Sequence, residues 1–162
     1  MAELRQQYDL GKQVAGEIEL LFDTLTDLRD VKTQSSEIVA RMKKAGEENE
    51  QIATAAKSLD EKLSELEKKI TQVNSKSGQD PINFPPMIDN QLTMLYSYIV
   101  MSDHQPTAGA YERFDDLKPE LAELRGQFQE IVSSDLTAFN QMVAGLNLPP
   151  VIVSSTPTTE DR

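Results

Sequence analysis

Apolar residues recur at steps of three and four along most of this chain, which is the spacing of one face of an α-helix. In the first region the recurring positions are Leu4, Tyr8, Ala15, Ile18, Phe22, Leu25, Leu28, Val39 and Met42, and no proline interrupts them. This pattern predicts one long helix over 2–45. A disturbance is expected at 31–36 (VKTQSS), where Thr and Ser compete for backbone hydrogen bonds. Gly46 then supplies a turn or C-cap.

The second region carries the most regular pattern in the sequence. Its apolar residues alternate steps of four and three: Ile52, Ala56, Leu59, Leu63, Leu66, Ile70 and Val73. This heptad stripe predicts a helix over 48–73 that keeps one narrow face toward a partner helix and forms an antiparallel hairpin with the first helix. Two interpretations of the stripe stay open. Three other amphipathic helices favour packing within the chain, and the alternative is presentation to a helix of another molecule.

Prolines separate the second helix from the third. The segment NSKSGQDPINFPP, residues 74–86, removes backbone donors and fixes φ, so we interpret it as a crossover loop. A helix is predicted over 86–102, starting near Pro86, with one apolar face made by Ile88, Leu92, Leu95 and Ile99. Burial on more than one face is expected, because the other sides carry Met87, Met94, Tyr96, Tyr98, Val100 and Met101.

The fourth helix is predicted over 108–146, with Thr107 as its N-cap. Its apolar positions are Tyr111, Phe114, Leu117, Leu121, Leu124, Phe128, Ile131, Phe139, Met142 and Leu146. Pro119 lies within this pattern and predicts a kink or a restart, because proline removes a hydrogen bond to the preceding turn. Residues 149–162 are predicted to form a flexible tail, with Val151–Val153 laid against the helices.

These elements predict an all-α fold. The expected architecture is an antiparallel four-helix bundle over 1–148, built from two helical hairpins with long first and fourth helices. A first helix of this length would extend far beyond the third. A bend, the fourth helix, another subunit or a neighbouring domain must then cover the overhang.

The chain is strongly acidic, with a net charge of -11 over 162 residues. Such a charge disfavours phosphate backbones and anionic membrane surfaces, so neither nucleic acid nor a membrane is expected as a partner. No apolar run approaches the roughly 20 residues that span a bilayer. The first ten residues, MAELRQQYDL, lack the features of a signal peptide, as a fragment of a longer exported chain also would.

Candidate chemistry is sparse. The single histidine, His104, excludes a di-iron bundle, which needs two Glu-x-x-His pairs. Asp115 and Asp116 diverge by about 100° around a helix and cannot face one substrate. His104 beside Asp103 leaves only a remote enzyme hypothesis. We therefore predict no catalytic, cofactor-binding or metal-binding residue and no cofactor.

Tyr96, Tyr98, His104 and Tyr111 lie near the third connection and form a candidate interaction surface. Such aromatic side chains could stack on a sugar or a peptide, although aromatic residues at helical spacing are more often core. Gly11 and Gly16 lie within a helical pattern and are expected to permit close helix contact rather than to bind a nucleotide.

Four stretches carry a family resemblance: AELRQQYDLGKQV, KKITQVNSKSGQDPINFPPMIDNQLTMLYSYI, SDHQPTAGAYERFDDLKPEL and LTAFNQMVAGLNLPPVIV. In this order they resemble the C-terminal helical region of bacterial sortilin-like proteins. These are large exported chains with bacterial-neuraminidase-type (BNR) repeats, often labelled glycosyl hydrolases. The most specific parts are DPINFPPMIDNQL and the QPT that opens the fourth helix.

The resemblance implies a non-catalytic accessory domain that serves docking, dimerisation or spacing. In that family a β-propeller and a smaller β-rich segment precede the helical region, and the propeller would carry any binding or hydrolytic residues. The implied partners are these preceding domains, with a homodimer also considered, and the implied location is periplasmic or extracellular. The alternative function is a free-standing coiled-coil adaptor or chaperone-like protein that presents the heptad stripe.

Overall fold

The computed structural model describes residues 2–74, 83–101 and 104–154, and every regular element among them is a helix. The all-α class is therefore confirmed. The helices are α1 (Ala2–Ala45), α2 (Glu50–Ile70), α3 (Ile88–Val100), α4 (Ala108–Ile131) and α5 (Thr137–Ala144), with a π-helical turn, Val132–Leu136, between α4 and α5. Within the described ranges, no helix combines the length and apolar character that crossing a membrane requires. Most of the predicted crossover loop, residues 75–82, lies outside them.

The first helix continues without a break through the segment in which a disturbance was predicted. The Thr33 hydroxyl donates to the carbonyl of Arg29 at 2.9 Å, and the Ser35 hydroxyl donates to the carbonyl of Lys32 at 3.0 Å. Because both hydroxyls bond within their own helix, they do not compete for the helical N–H groups. The predicted disturbance is wrong.

A tight turn joins α1 to α2. Gly46 has a φ of 72°, and the N–H groups of Gly46 and Glu47 donate to the carbonyls of Lys43 and Met42. This is the Schellman arrangement, in which a left-handed residue closes a helix. The Asn49 carboxamide then accepts from the N–H groups at the start of α2 and caps it. The predicted C-cap at Gly46 is confirmed.

The fourth helix begins as predicted. The N–H of Ala110 donates to the Thr107 hydroxyl at 3.3 Å, which confirms the N-cap. Helix α4 continues through Pro119, so the chain does not restart there, and a kink at this position stays a prediction. Proline has no N–H, so the carbonyl of Asp115 loses its helical donor. Both residues are exposed, so a water molecule can donate to this carbonyl instead.

The helical hydrogen-bond pattern changes at the π-helical turn, where hydroxyl groups bond to backbone carbonyls. Ser133 and Ser134 both donate to the carbonyl of Glu130, at 3.1 and 2.7 Å. Bonds of the same kind at Thr33 and Ser35 leave α1 regular, so these bonds accompany the wider turn but are not its cause. The turn places Asp135 Oδ1 2.6 Å from Lys62 Nζ. The hydrogen bond from Lys62 is the main reason that the pKa of Asp135 lies below its ordinary value.

The chain divides into two compact units, one comprising Met1–Phe22 with Leu66–Gly126 and the other Asp23–Glu65 with Gln127–Arg162. In the first unit the buried apolar residues are Leu10, Val14, Leu21, Leu66, Ile70, Ile88, Leu92, Leu95, Ile99, Ala110, Phe114, Leu117, Leu121 and Leu124. In the second they are Leu25, Leu28, Val31, Ile38, Met42, Ile52, Ala56, Leu59, Leu63, Phe128, Leu136, Phe139, Val143 and Val151. The heptad stripe is thus buried within the chain, except for Val73.

The buried row of α1 differs from the predicted one in its first half. Leu4, Tyr8 and Phe22 were placed on the apolar face, yet 46%, 66% and 48% of their surfaces are exposed. The buried row is instead Leu10, Val14, Leu21, Leu25, Leu28, Val31, Ile38 and Met42. Both rows have helical spacing, so spacing alone could not choose between them.

Candidate functional site

The third helix carries apolar side chains on two sides, one buried and one exposed. Ile88, Leu92, Leu95 and Ile99 are buried, as predicted. Met94, Tyr98 and Met101, at steps of four and three, are 63%, 59% and 85% exposed, and we call them the α3 face. The expectation that this helix is buried on more than one face is wrong, because the elements packed against α3 cover only its buried row.

The start of α1 lies beside the end of α3. The Gln7 side chain donates from Nε2 to the carbonyl of Ile99 at 2.8 Å. One turn further along α1, a methyl group added at Gly11 would lie 3.7 Å from Val100 Cγ1, an ordinary contact distance. Leu4 and Tyr8 flank this contact and are exposed. The segment of α1 that contacts the end of α3 therefore carries exposed apolar residues of its own.

The predicted glycine contact is only half present. Gly11 lies against the end of α3, but a Cβ at Gly16 would meet no atom within 4 Å. The close helix contact expected at Gly16 is wrong.

The four residues of the predicted aromatic surface differ in exposure. Tyr98 belongs to the α3 face, Tyr96 is half-buried, and Tyr111 and His104 are exposed. Among the described residues, no hydrogen bond or ring contact joins these four side chains. Asp103, the predicted neighbour of His104, lies outside the described ranges.

Met94 and Met101 are the two residues of the α3 face that the sequence analysis assigned to the wrong environment. Met94 and Met101 were recognised as apolar and were expected to be buried. Their steps of four and three from Tyr98 are the signal that places all three on one side of a helix. In the described part of the chain, no three His, Cys, Asp or Glu side chains are placed to hold a metal ion.

A row of acidic residues on α1 makes the stability of the chain depend on pH. The pKa of Asp27 is raised by partial burial first and then by the charges of Asp23 and Asp30, one turn away on either side. A raised pKa means that the folded state disfavours the charged carboxylate. This charge therefore costs stability at neutral pH, and the cost disappears as the pH falls below the raised pKa.

We expect Asp27→Asn to stabilise the chain at pH 7. Each like-charged pair one helical turn apart costs about 0.2–0.5 kcal/mol, so removing two gives a gain below about 1 kcal/mol. The advantage should shrink as the pH is lowered toward 4. Thermal melts of the two proteins from pH 7 to pH 4 measure this difference, and Asp116→Asn, at an exposed position of α4, is the control. A gain that grows on acidification would contradict the assignment.

An ion pair links α1 to α4 in the first unit. Arg125 Nη1 lies 3.2 Å from Glu17 Oε2, and the side chains are only 29% and 20% exposed. The Glu17 oxygen is shielded from solvent and makes no hydrogen bond of regular geometry, so the guanidinium charge is its compensation.

Arg125→Ala is expected to lower the free energy of unfolding by about 1–3 kcal/mol, because it leaves a shielded carboxylate oxygen uncompensated. Partial exposure of both side chains favours the lower end of this range. Urea denaturation measures the loss. Lys57→Ala removes the exposed pair between Lys57 and Glu61 and should cost at most about 0.5 kcal/mol. Equal losses in the two variants would show that shielding of Glu17 contributes nothing.

Comparison of the chain with protein-family models, curated proteins and solved structures found no match. The resemblance to sortilin-like proteins stays a prediction.

Proposed function

We propose that this chain is a non-catalytic helical accessory domain that docks onto a neighbouring domain of a longer, exported protein. The observation that carries the proposal is the α3 face, where Met94, Tyr98 and Met101 are exposed in one row. Grouped apolar side chains on a surface mark protein contacts more often than isolated ones do. Tyr and Met are also among the residue types enriched in interfaces.

The proposed occupant of the α3 face is the domain that precedes α1. In the resembled family a β-rich segment leads into a helix that begins much like AELRQQYDL. A domain joined there would emerge beside Leu4, and the hydrogen bond from Gln7 to Ile99 brings that end of α1 to α3. The β-propeller of the parent would carry glycan or peptide binding, and a periplasmic or extracellular location belongs to the same proposal.

The proposed arrangement of the helices is an antiparallel four-helix bundle of two hairpins. The turn over residues 46–49 supports the first hairpin, because its caps end α1 and start α2 within four residues. The long buried faces of α1 and α2 support lateral helix packing.

Calorimetric titration with the β-rich segment encoded directly before α1 tests the docking proposal. The chain should bind this segment, and a variant with Met94, Tyr98 and Met101 changed to Ser should bind at least tenfold more weakly. Met142→Ser, at a 36% exposed position outside the α3 face, is the control and should bind normally. If no β-rich segment is encoded there, or if the triple variant binds normally, the proposal fails. Hydrolysis of aryl glycosides or peptides by the purified chain would contradict its non-catalytic part.

Light scattering distinguishes the two partners considered. A monomer near the sequence mass of 18.1 kDa at all concentrations supports an intramolecular partner. A dimer that the triple Ser variant abolishes would make a second copy the occupant of the α3 face. The alternative adaptor function has less support, because the heptad stripe that it would present is buried from Ile52 to Ile70.

A further inference from the structure

Two carboxamide side chains in the second unit hold an extended segment that follows α5. Asn140 Nδ2 donates to the carbonyl of Val151 at 2.8 Å, and the N–H of Val151 donates to Asn140 Oδ1 at 2.8 Å. Gln34 on α1 forms the same reciprocal pair with Ile152, at 2.8 and 3.0 Å. We call residues 149–153 the strap.

This pattern is backbone recognition of an extended chain. A residue in a β-ladder exchanges its N–H and its C=O with a partner in the same way. Successive residues of an extended chain direct these groups to opposite sides. Val151 bonds to α5 and Ile152 to α1, so the strap runs between the two helices. The prolines at 149 and 150 favour this extended geometry.

One side chain of the strap is buried against the second unit, and the side chain of the next residue is exposed. Val151 is 3% exposed and belongs to the core of the second unit, whereas Ile152 is 63% exposed. The site therefore requires a branched apolar side chain at one position and only backbone groups at the next. The ligand class that fits is an extended apolar segment with valine at its centre.

The turn that connects α5 to the strap contains a residue in the left-handed conformation. Asn147 has a φ of 56°, and the N–H groups of Asn147 and Leu148 donate to the carbonyls of Ala144 and Val143 at 3.0 and 3.4 Å. Asparagine tolerates this left-handed conformation better than most residues, but only glycine adopts it without strain. A β-branched residue at this position would disfavour the left-handed conformation and with it the turn.

We propose that α1 and α5 form a binding site for an extended apolar segment, which the strap fills within its own chain and which the strap of a second copy fills when the turn opens. The backbone groups that are bound lie in the strap, and the side chains that hydrogen-bond to them lie on α1 and α5. The contacts are therefore the same whichever copy supplies the strap. Exchange of an identical element is a low-cost route to a dimer. This proposal is independent of docking at the α3 face.

Peptide binding tests the site. The probe is a fluorescent peptide with the sequence NLPPVIVS, residues 147–154, and the acceptor is full-length V151D, whose own strap is expelled by a buried charge. Saturable anisotropy is expected with V151D, with affinity at least tenfold lower in V151D/N140L. Wild type should also bind at least tenfold more weakly, because its tethered strap competes at an effective concentration of roughly millimolar. I152D is the matched control, since Ile152 is exposed, and it should behave as wild type.

Binding that is equal in wild type and V151D, or unaffected by N140L, would overturn the site. If circular dichroism shows that V151D is unfolded, hydrogen exchange of wild type and N140L replaces the peptide-binding test. The amides of Val151 and Ile152 should then exchange at least tenfold faster in N140L, and unprotected amides in wild type would overturn the proposal.

Substitution of Asn147 tests whether the strap of a second copy fills the site. N147V disfavours the left-handed conformation and should give a concentration-dependent dimer by light scattering, which N140L abolishes. N147G keeps the turn and should stay monomeric. An N147V protein that stays monomeric up to millimolar concentration would overturn the assignment of a second copy as the partner.

Discussion

Leu63→Asp is expected to remove most of the stability of this chain. Leu63 is 0% exposed and lies in the middle of the heptad stripe, so the new carboxylate would be buried without a partner. An uncompensated buried charge costs about 3–5 kcal/mol, a large part of the roughly 5–15 kcal/mol that stabilises a typical domain. Urea denaturation followed by circular dichroism at 222 nm measures the loss.

Ser58→Asp is the matched control, because it places the same charge on an exposed position of the same helix. It should change the free energy of unfolding by at most about 0.5 kcal/mol. If Leu63→Asp kept its helicity and its urea midpoint, the stripe would not be packed within the chain. The adaptor function would then become the better explanation.

Phe139→Ala is expected to cost about 3–5 kcal/mol of unfolding free energy. Phe139 is 1% exposed and lies in the first turn of α5, directly after the π-helical turn, so its removal leaves a cavity in the second unit. Guanidinium denaturation measures the loss. Phe22→Ala makes the same chemical change at a position that is 48% exposed and should cost about 1 kcal/mol. Similar losses in both variants would mean that Phe139 does not support the core.

Local chemistry predicted the caps of the helices better than it predicted their buried faces. Gly46 and Thr107 were assigned correctly because a left-handed residue or a hydroxyl at a helix end acts on its own few neighbours. The buried row of α1 depends instead on what packs against it. Tyr8 and Leu10 belong to two apolar rows, and only the partner elements decide which of them is covered.

The π-helical turn explains a further error in the fourth region. The predicted uninterrupted helix over 108–146 placed Met142 and Leu146 on the same face as Phe128. The turn adds a residue and rotates the chain beyond it, so Leu136 and Val143 are buried while Met142 and Leu146 are exposed. Hydroxyl residues such as Ser133 are common in regular helices too, so the sequence alone does not reveal the turn.

The candidate sites were predictable only in part. Tyr98 was assigned to a candidate surface, whereas Met94 and Met101 were expected in the core because apolar character does not reveal the absence of a covering element. Contact of Val151 and Ile152 with the helices was predicted and is confirmed. Hydrogen bonds to Gln34 and Asn140 hold these two residues, in agreement with the part of the tail that was expected to lie against the helices. Residues 155–162 of that tail lie outside the described ranges.

The π-helical turn also makes the second unit tolerant of one change in the length of its gene. Loss of a single codon within Val132–Leu136 would remove the residue that the turn adds and restore a regular α-helix, with α5 in nearly the same rotation. Phe139 would stay in the core, and Asn140 would still face the strap. The same deletion within the regular part of α4 would instead rotate every later side chain of that helix by about 100°. Single-residue length variation among homologous genes should therefore fall within these five codons.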